Sequence, residues 1–239
     1  PPSKPPDCTQ LPTVTVVEPF EFQQLSTTSV LWTLSHLPRY KRTSGPLPNR
    51  ILRETAPSIS DSLTAIFNLS ITSGMVPSDW KTSIVIPVYK GSGSKGSPGS
   101  YRPISLLHGV AKVFESMMSK QMTTFVEANT LLRTHQFGFR RQRSTTDQLV
   151  QMTSSIRRAF DSKALCDGLY LDLSKAFDKA SHSVLLHLLS SFCSSSSVKW
   201  LGSFVCGRSI HVQIGDQVSS LHPLGAGVPQ GSHLGPLLF

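Results

Sequence analysis

The 239-residue sequence predicts an α+β fold in which amphipathic helices are mixed with a few scattered strands. Apolar side chains that recur at three- and four-residue steps mark helices over residues 58–73, 110–125 and 144–160. Apolar runs and period-two alternation mark strands at 83–89, 168–173 and 210–214. Strands and helices do not alternate regularly, which argues against a doubly wound parallel sheet.

Local signals set the ends of these elements. The pattern predicts a short helix around Val30–Leu37 and a longer one that begins at Ser58 and ends at Gly74. Ser144 followed by Asp147 has the spacing of a capping box and predicts another helix start. Further helices are predicted at Val184–Phe192 and Val198–Cys206, and the run SSSS at 194–197 is either a low-complexity joint or a helix start.

Composition points to a polyanionic partner. The chain has 23 Lys and Arg against 14 Asp and Glu, a net charge of +9. Such a balance favours binding to phosphates, although a basic protein with no nucleic-acid role has the same charge. The four cysteines lack zinc-finger spacing and suggest no disulfide framework, which fits a reducing compartment. With no signal peptide or membrane span visible, we expect no membrane partner and an intracellular location, in the nucleus and cytoplasm.

A carboxylate closes the apolar segment at 168–173. Asp172 at the end of a buried strand is costly unless its charge is compensated, and Mg²⁺ is one good compensator. The alternative is that Asp172 caps a helix starting near Ser174, since Asp is common at helix starts. The turn at 227–231 likewise either faces a nucleotide through the Gln230 amide or is an ordinary turn before a core helix.

Two basic segments have the composition of phosphate-binding sites. The Gly/Ser loop at 90–102 carries three cations that suit a triphosphate, Lys90, Lys95 and Arg102, although it lacks the spacing of a Walker loop. Its alternative is a solvated linker. The segment 135–149 sets Arg140, Arg141 and Arg143 beside two phenylalanines. Arginine interleaved with aromatic residues suits a nucleic-acid strand, but we expect Phe137 and Phe139 to lie in the core.

The order of these segments is more specific than any one of them. They read, in order, SDWKTSIVIPVYKG, SYRPISLL, KVFESMM, HQFGFRRQRSTTDQL, LDLSKAFDKASH and GVPQGSHLGPLLF. The series resembles the reverse transcriptase of non-LTR retrotransposons, of the jockey-like kind, over residues 26–239. The resemblance implies a right-hand polymerase fold. Residues 1–25 are then a Pro-rich linker, 26–165 an N-terminal extension and fingers, and 166–239 an incomplete palm.

The resemblance also implies roles for single residues. Asp172 matches the first catalytic aspartate, and the Leu173 carbonyl would join it on two Mg²⁺ ions. Phe177 matches the aromatic steric gate under the incoming sugar. Gln230 and Gly231 match residues that contact the incoming nucleotide and the template.

Further positions carry over to the fingers. Lys90 and Arg102 resemble the residues that hold the triphosphate, with Lys95 as an alternative to Lys90. Asp178 matches a position that we interpret as structural. The reaction implied is transfer of a nucleotide from a dNTP to a DNA primer on an RNA template, the three partners of the enzyme class.

The sequence contains no Asp-Asp pair and ends at Phe239, before the strand–turn–strand that carries this pair in the family. We therefore expect no polymerase activity from this chain alone. Departures from the family pattern, such as His233 and the serine run at 194–197, leave a second interpretation open. It is a non-catalytic nucleic-acid-binding remnant or a decayed element copy. A third is a domesticated reverse transcriptase or an intron maturase.

Overall fold

A computed structural model describes residues 16–239 as a set of helices around one mixed sheet, which confirms the predicted mixture of helix and strand. The helices are α1 Thr27–Ser35, α2 Asn49–Glu54, α3 Ala56–Ser73, α4 Gly109–Ala128, α5 Thr145–Asp161, α6 Ala176–Lys179, α7 His182–Ser190, α8 Ser195–Val205 and α9 Gly235–Leu238. The strands are β1 Thr82–Tyr89, β2 Tyr101–Leu106, β3 Arg208–Ile214, β4 Gln217–Val218 and β5 His222–Leu224. Within this described part, no helix combines the length and apolar character needed to cross a bilayer.

The sheet has the order β2–β1–β3, and β4 and β5 both pair with β3. Strands β1 and β2 form an antiparallel hairpin whose register sets Tyr89 opposite Tyr101. Strand β1 runs parallel to β3, with Ile84 opposite His211. The predicted strands at 83–89 and 210–214 are therefore confirmed, and a turn at Gly215–Asp216 leads from β3 into β4.

Most helix predictions are confirmed, although several helices begin two or three residues before their predicted starts. At α5 the Ser144 hydroxyl accepts from the Asp147 amide, and the Asp147 carboxylate accepts from the Ser144 amide, so the capping box is complete. Helix α3 ends at Gly74, as predicted. This glycine has the left-handed conformation. The helix begins at Ala56 instead of Ser58, because Pro57 occupies the first turn, where its fixed φ favours helix initiation.

The core is an aromatic cluster between α3, α4 and α8. The rings of Phe67 and Phe114 stack with centroids 4.5 Å apart, and Trp200 meets Phe114 edge-on at 5.5 Å. All three side chains are buried, and the Trp200 indole N–H donates to the Ser70 hydroxyl at 3.0 Å. The polar atom of the largest core side chain is thus satisfied inside the apolar cluster.

The N-terminal segment corrects the predicted linker. Residues 1–15 lie outside the described part, but Phe20, Phe22 and Leu25 are buried core residues. Phe20 forms a parallel backbone bridge with Cys193, and the Phe22 amide donates to the buried Ser197 hydroxyl at 3.0 Å. Residues 20–25 are therefore part of the folded unit, because their aromatic side chains fill the core beside α8.

The serine run is a helix start. The Ser194 hydroxyl accepts from the Ser197 amide and caps α8, which begins at Ser195. Ser196 donates to the Glu21 carboxylate at 2.8 Å. These side chains are used to initiate α8 and to hold the N-terminal segment, so the run is not a low-complexity joint.

Two further expectations are wrong. Residues 168–173 form exposed coil, not a buried strand, and Leu169 and Leu171 are each 85% exposed. No strand in the described part pairs with this segment, and an isolated strand is not stable in water. Phe139 is 76% exposed, and Phe137 only half-buried, so these rings do not enter the core. Positive φ at Phe139 belongs to a turn that directs its ring outward.

Candidate nucleotide and nucleic-acid site

The structure brings the segments 177–180 and 227–228 into direct contact. The Gly227 amide donates to the Ala180 carbonyl and the Val228 amide to the Phe177 carbonyl, each at 2.8 Å. Gly227 has φ +90°, and a Cβ there would lie 2.7 Å from the Asp178 carbonyl oxygen. Only glycine permits this approach of two backbones. The contact joins two segments that the sequence separates by almost fifty residues.

The next residues of the turn lie along the free edge of β2. The Ser105 amide donates to the Gln230 carbonyl at 2.9 Å, and the Lys112 ammonium donates to the Gly231 carbonyl at 3.1 Å. Gly231 has φ +117°, with the Ser105 oxygen 3.0 Å from the position of a Cβ. Burial lowers the pKa of Lys112, and the nearby Lys41 charge lowers it further. Gln230 and Gly231 are thus fixed through their backbone, which leaves the Gln230 amide group free of this packing.

A buried carboxylate completes the support of this segment. Glu115 on α4 is only 3% exposed, and its Oε1 accepts from the Leu234 amide at 2.8 Å. Burial raises the pKa of Glu115, while the Leu234 hydrogen bond and the Arg208 charge oppose that rise. The sequence interpretation did not single out Glu115. The signal was available, since Glu115 falls on the helix face of Ala111, Met118 and Met122.

The two cations predicted to hold a triphosphate, Lys90 and Arg102, share one face of the β1–β2 hairpin. Arg102 lies opposite Val88, and the Lys90 amide donates to the Ser100 carbonyl at 2.9 Å, which continues the ladder by one pair. Side chains two positions apart on a strand, and those directly opposite on its partner, lie on the same face of the sheet. Lys90 and Arg102 therefore project from one face. Both are exposed, and the Lys90 ammonium donates to the Gly99 carbonyl at 2.8 Å.

The loop between these two cations is held by tyrosines. The Tyr89 hydroxyl donates to the Gly93 carbonyl at 2.7 Å and the Tyr101 hydroxyl to the Lys95 carbonyl at 2.8 Å. The Lys95 ammonium lies 6.0 Å from the centre of the Tyr89 ring. The loop thus has its own internal hydrogen bonds, which an unstructured linker lacks.

Phe177 lies between two aromatic neighbours. Its ring stacks on Phe239 with centroids 4.8 Å apart and an interplanar angle of 26°. Phe139 approaches the same ring edge-on at 6.2 Å. Although Phe139 is exposed, it therefore lies next to the predicted gate residue. The structure brings Phe177, the turn at 227–231 and the arginine segment 140–143 into one region.

The three arginines of that segment differ in their engagement. The Arg140 guanidinium forms a two-pronged ion pair with Glu127, with Nε 2.9 Å from Oε1, and the Glu127 hydrogen bond raises the pKa of Arg140. Arg143 donates to the Thr134 carbonyl and lies 5.3 Å from the Phe137 ring centre. Arg141 is exposed and makes no hydrogen bond or ion pair to the described residues. Of the three arginines, Arg141 therefore has all of its guanidinium N–H groups available to bind a ligand.

Asp172 and Leu173 do not gather a metal site. Both lie in the exposed coil between α5 and α6. Among residues 16–239 there is no group of three His, Cys, Asp or Glu side chains placed to hold a metal ion. A pair of Mg²⁺ ions needs several oxygen ligands, and a single exposed carboxylate with one backbone carbonyl does not supply them. The residues described therefore do not fit the metal pair that the resemblance implies.

Comparison with known proteins agrees with the order of these segments. The family model for "Reverse transcriptase (RNA-dependent DNA polymerase)" matches residues 90–239. The matched range contains the β1–β2 loop, the arginine segment, Phe177 and the turn at 227–231. The chain belongs to the reverse transcriptase family, of the kind carried by non-LTR retrotransposons.

Curated relatives come from insect mobile elements. The chain is 37% identical over 177 residues to the probable RNA-directed DNA polymerase from transposon X-element of Drosophila melanogaster, a match over 74% of this chain and 20% of that protein. It is 33% identical over 193 residues to the RNA-directed DNA polymerase from mobile element jockey of the same species, over 81% of this chain and 21% of that protein. The chain thus spans about a fifth of the length of these relatives.

Proposed function

We propose that this chain is part of an RNA-directed DNA polymerase with a right-hand fold, to which residues 26–165 contribute an N-terminal extension and fingers and residues 166–239 part of the palm. The observation that carries the proposal is the meeting of three family segments. The turn at 227–231 contacts residues 177–180 on one side and the edge of β2 on the other. A nucleotide bound there would lie between a fingers hairpin and a palm segment.

Each proposed role follows from this arrangement. Lys90 and Arg102, exposed on one face of the hairpin, bind the triphosphate of the incoming dNTP. Phe177, with its ring held by Phe239, lies under the sugar and excludes a 2′-hydroxyl. Gln230 and Gly231, fixed by Ser105 and Lys112, contact the nucleotide and the template.

Asp172 and Leu173 are the proposed metal-binding residues of the family site, and Mg²⁺ is the proposed ion. When bound, Mg²⁺ would supply charge neutralisation on the reacting phosphate. The described residues do not assemble its ligands, so we assign no reaction step to the ion in this chain. We accordingly predict that the 239-residue protein does not extend a primer. DNA synthesis on an RNA template places the proposed activity inside the cell, in the nucleus or cytoplasm.

The proposed partners are an RNA template, a DNA primer and dNTPs. Arg141 is the proposed phosphate contact of the arginine segment, while Arg140 and Arg143 position the segment around it. The test is fluorescence anisotropy of a labelled RNA–DNA primer–template, titrated between about 50 and 200 mM NaCl. Arg141→Met should weaken binding and lower the salt slope by about 0.7–0.9, the value of one lost phosphate contact.

A charge-matched control separates this contact from net charge. Arg50 on α2 pairs with Glu54 and lies outside the proposed site, so Arg50→Met should leave the salt slope unchanged. Lys90→Met and Arg102→Met should weaken protection of the protein by a dNTP in thermal unfolding, where Arg50→Met has no effect. Equal effects of the site variants and the control would refute the proposed site.

A non-catalytic nucleic-acid-binding protein is the second candidate, and it is favoured because residues 16–239 hold no cluster of metal ligands. The exposed Asp172 and the net charge of +9 suit binding without catalysis. Salt-dependent binding of the primer–template without dNTP protection would support this second function. Templated extension by the pure protein would exclude it.

A further inference from the structure

Two buried charged side chains, each with an unpartnered polar atom, line the same cavity. Within residues 16–239, Glu115 Oε2 and Arg208 Nε are buried and have no hydrogen-bond partner. Glu115 and Arg208, each 3% exposed, both line one cavity of about 10 Å³ under the aromatic cluster. An unsatisfied polar atom in such a place costs free energy, and a charged one costs more.

The remaining atoms of both groups are already engaged. Glu115 Oε1 accepts from the Leu234 amide at 2.8 Å. Arg208 donates to the Phe204 carbonyl at 3.0 Å and to the Trp80 carbonyl at 3.4 Å, and its guanidinium lies 5.2 Å from the Phe204 ring centre. The two groups form no ion pair with each other, since the ion pairs of the described residues are Arg50–Glu54 and Arg140–Glu127. No described protein group satisfies the two orphaned atoms.

The electrostatics show that the two groups nevertheless interact. Burial lowers the pKa of Arg208 to about 10, and the Glu115 charge opposes that shift. Burial raises the pKa of Glu115, and the Arg208 charge is among the effects that oppose the rise. Arg208 therefore keeps its charge at neutral pH, in a core that offers no other carboxylate among the cavity-lining residues.

The cavity has the size and chemistry for one water molecule. A water needs about 10–15 Å³ of such space and two to four polar partners. Here it would donate to Glu115 Oε2 and accept from the Arg208 Nε–H. Glu115 and Arg208 are the charged residues of the lining. The rest of the lining is mainly apolar and consists of Val76, Trp80, Leu107, Ala111, Phe114, Trp200 and Phe204.

We propose that one buried water bridges Glu115 and Arg208, and that this bridged pair positions the turn at 227–231 by holding the Leu234 amide. Glu115 extends from α4, Arg208 begins β3, and Leu234 follows the turn, so the bridge ties three parts of the chain together. The proposal concerns the fold around the turn and does not depend on polymerase activity.

The direct test is a crystal structure of the 239-residue protein at a resolution that shows ordered water. We expect density within hydrogen-bond distance of both Glu115 Oε2 and Arg208 Nε. A dry cavity, or a direct Glu115–Arg208 ion pair, overturns the proposal. This test needs no variant and so does not depend on a substituted protein that folds.

A double-mutant cycle measures the coupling. Glu115→Gln keeps the acceptor for Leu234 but removes the charge, and Arg208→Met removes the cation. Each should lower the folding equilibrium constant about 100-fold or more, because the partner is left as an unpaired buried charge. The double variant should lose at least about tenfold less than the product of the two single losses. Losses that simply multiply would overturn the bridge.

Controls separate bridging and positioning from general destabilisation. The exposed pair Arg50 and Glu54, changed to Met and Gln, should couple by no more than about twofold. Hydrogen exchange provides the positioning readout. In Glu115→Met the Leu234 amide loses its acceptor and should exchange about tenfold faster than in Glu115→Gln, after correction for global stability. Equal Leu234 exchange in the two variants would contradict the positioning role.

Discussion

Gly227→Ala tests whether the turn and the segment 177–180 form one rigid contact. An alanine at φ +90° costs about 1–2 kcal/mol in backbone strain. Its Cβ would lie 2.7 Å from the Asp178 oxygen and 2.9 Å from the Phe177 oxygen, so the two backbones must separate. Separation weakens the Gly227–Ala180 and Val228–Phe177 hydrogen bonds, each worth about 0.5–1.5 kcal/mol. The sum is a loss of about 2–5 kcal/mol in the free energy of unfolding.

Gly225→Ala is the matched control. Gly225 lies two residues upstream, has no positive φ, and has nothing within 4 Å of an added Cβ. Both substitutions reduce the entropy of the unfolded chain equally, so their difference isolates the contact in the folded protein. Urea unfolding followed by far-ultraviolet circular dichroism measures both. If Gly227→Ala is as stable as Gly225→Ala, the close approach of the two backbones is refuted.

Three further predictions concern the core, a half-buried histidine and an exposed apolar segment. Phe114→Ala should lower the free energy of unfolding by about 3–5 kcal/mol, because the ring is buried in the aromatic cluster, whereas Phe139→Ala should change it by no more than about 0.5 kcal/mol. The His108 Nδ1 is buried and has no hydrogen-bond partner among residues 16–239, and burial lowers the pKa of His108 below 6.5. As pH falls through 6.5, the histidine is protonated in the unfolded chain before it is protonated in the folded one, so the free energy of unfolding decreases. His108→Asn should make this decrease smaller, as measured by urea titrations at several pH values. Leu171→Lys should raise the concentration at which the protein aggregates in light scattering, since Leu171 is 85% exposed, whereas Leu189→Lys should unfold it because Leu189 is buried.

Each of these expectations has a contrary result. Equal losses for the two phenylalanines would mean that the aromatic cluster is not the core. A steeper acid loss in His108→Asn than in the parent would reverse the sign assigned to His108. Glu115 also has a raised pKa, so protonation of Glu115 favours the folded state as pH falls. This effect is present in both the parent and His108→Asn, so it cancels when their stabilities are compared. An unchanged aggregation threshold in Leu171→Lys would show that this segment is covered in solution.

The elements predicted correctly are those whose signals are local. The capping box at Ser144 and the helix end at Gly74 depend on residues within a single turn of helix, and both are as predicted. Strand β1 follows from the apolar run at 83–89, whereas its antiparallel partner β2 was not predicted. Chain neighbours determine such features, so a single sequence is enough to find them.

The features that were missed depend on distant partners. The apolar run at 168–173 has strand composition, but a strand also needs a neighbour to pair with, and none of the described strands lies beside it. Phe20 and Phe22 enter the core because α8 offers a buried serine and an apolar surface, which no local pattern near residue 20 announces. The site residues were named by resemblance, yet the contact of Gly227 with Ala180 and the support from Glu115 required the fold.

The packing of the segment around Phe22 against α8, fixed by the hydrogen bond to Ser197, has a consequence for biosynthesis. This hydrogen bond joins residues 175 positions apart, and at ~5–20 residues per second a ribosome needs roughly 10–35 s to make the intervening chain. During that interval the aromatic pair Phe20 and Phe22 has no α8 against which to pack. Phe20 and Phe22 therefore stay without this packing surface, with their rings exposed to solvent, until the residues of α8 have been translated.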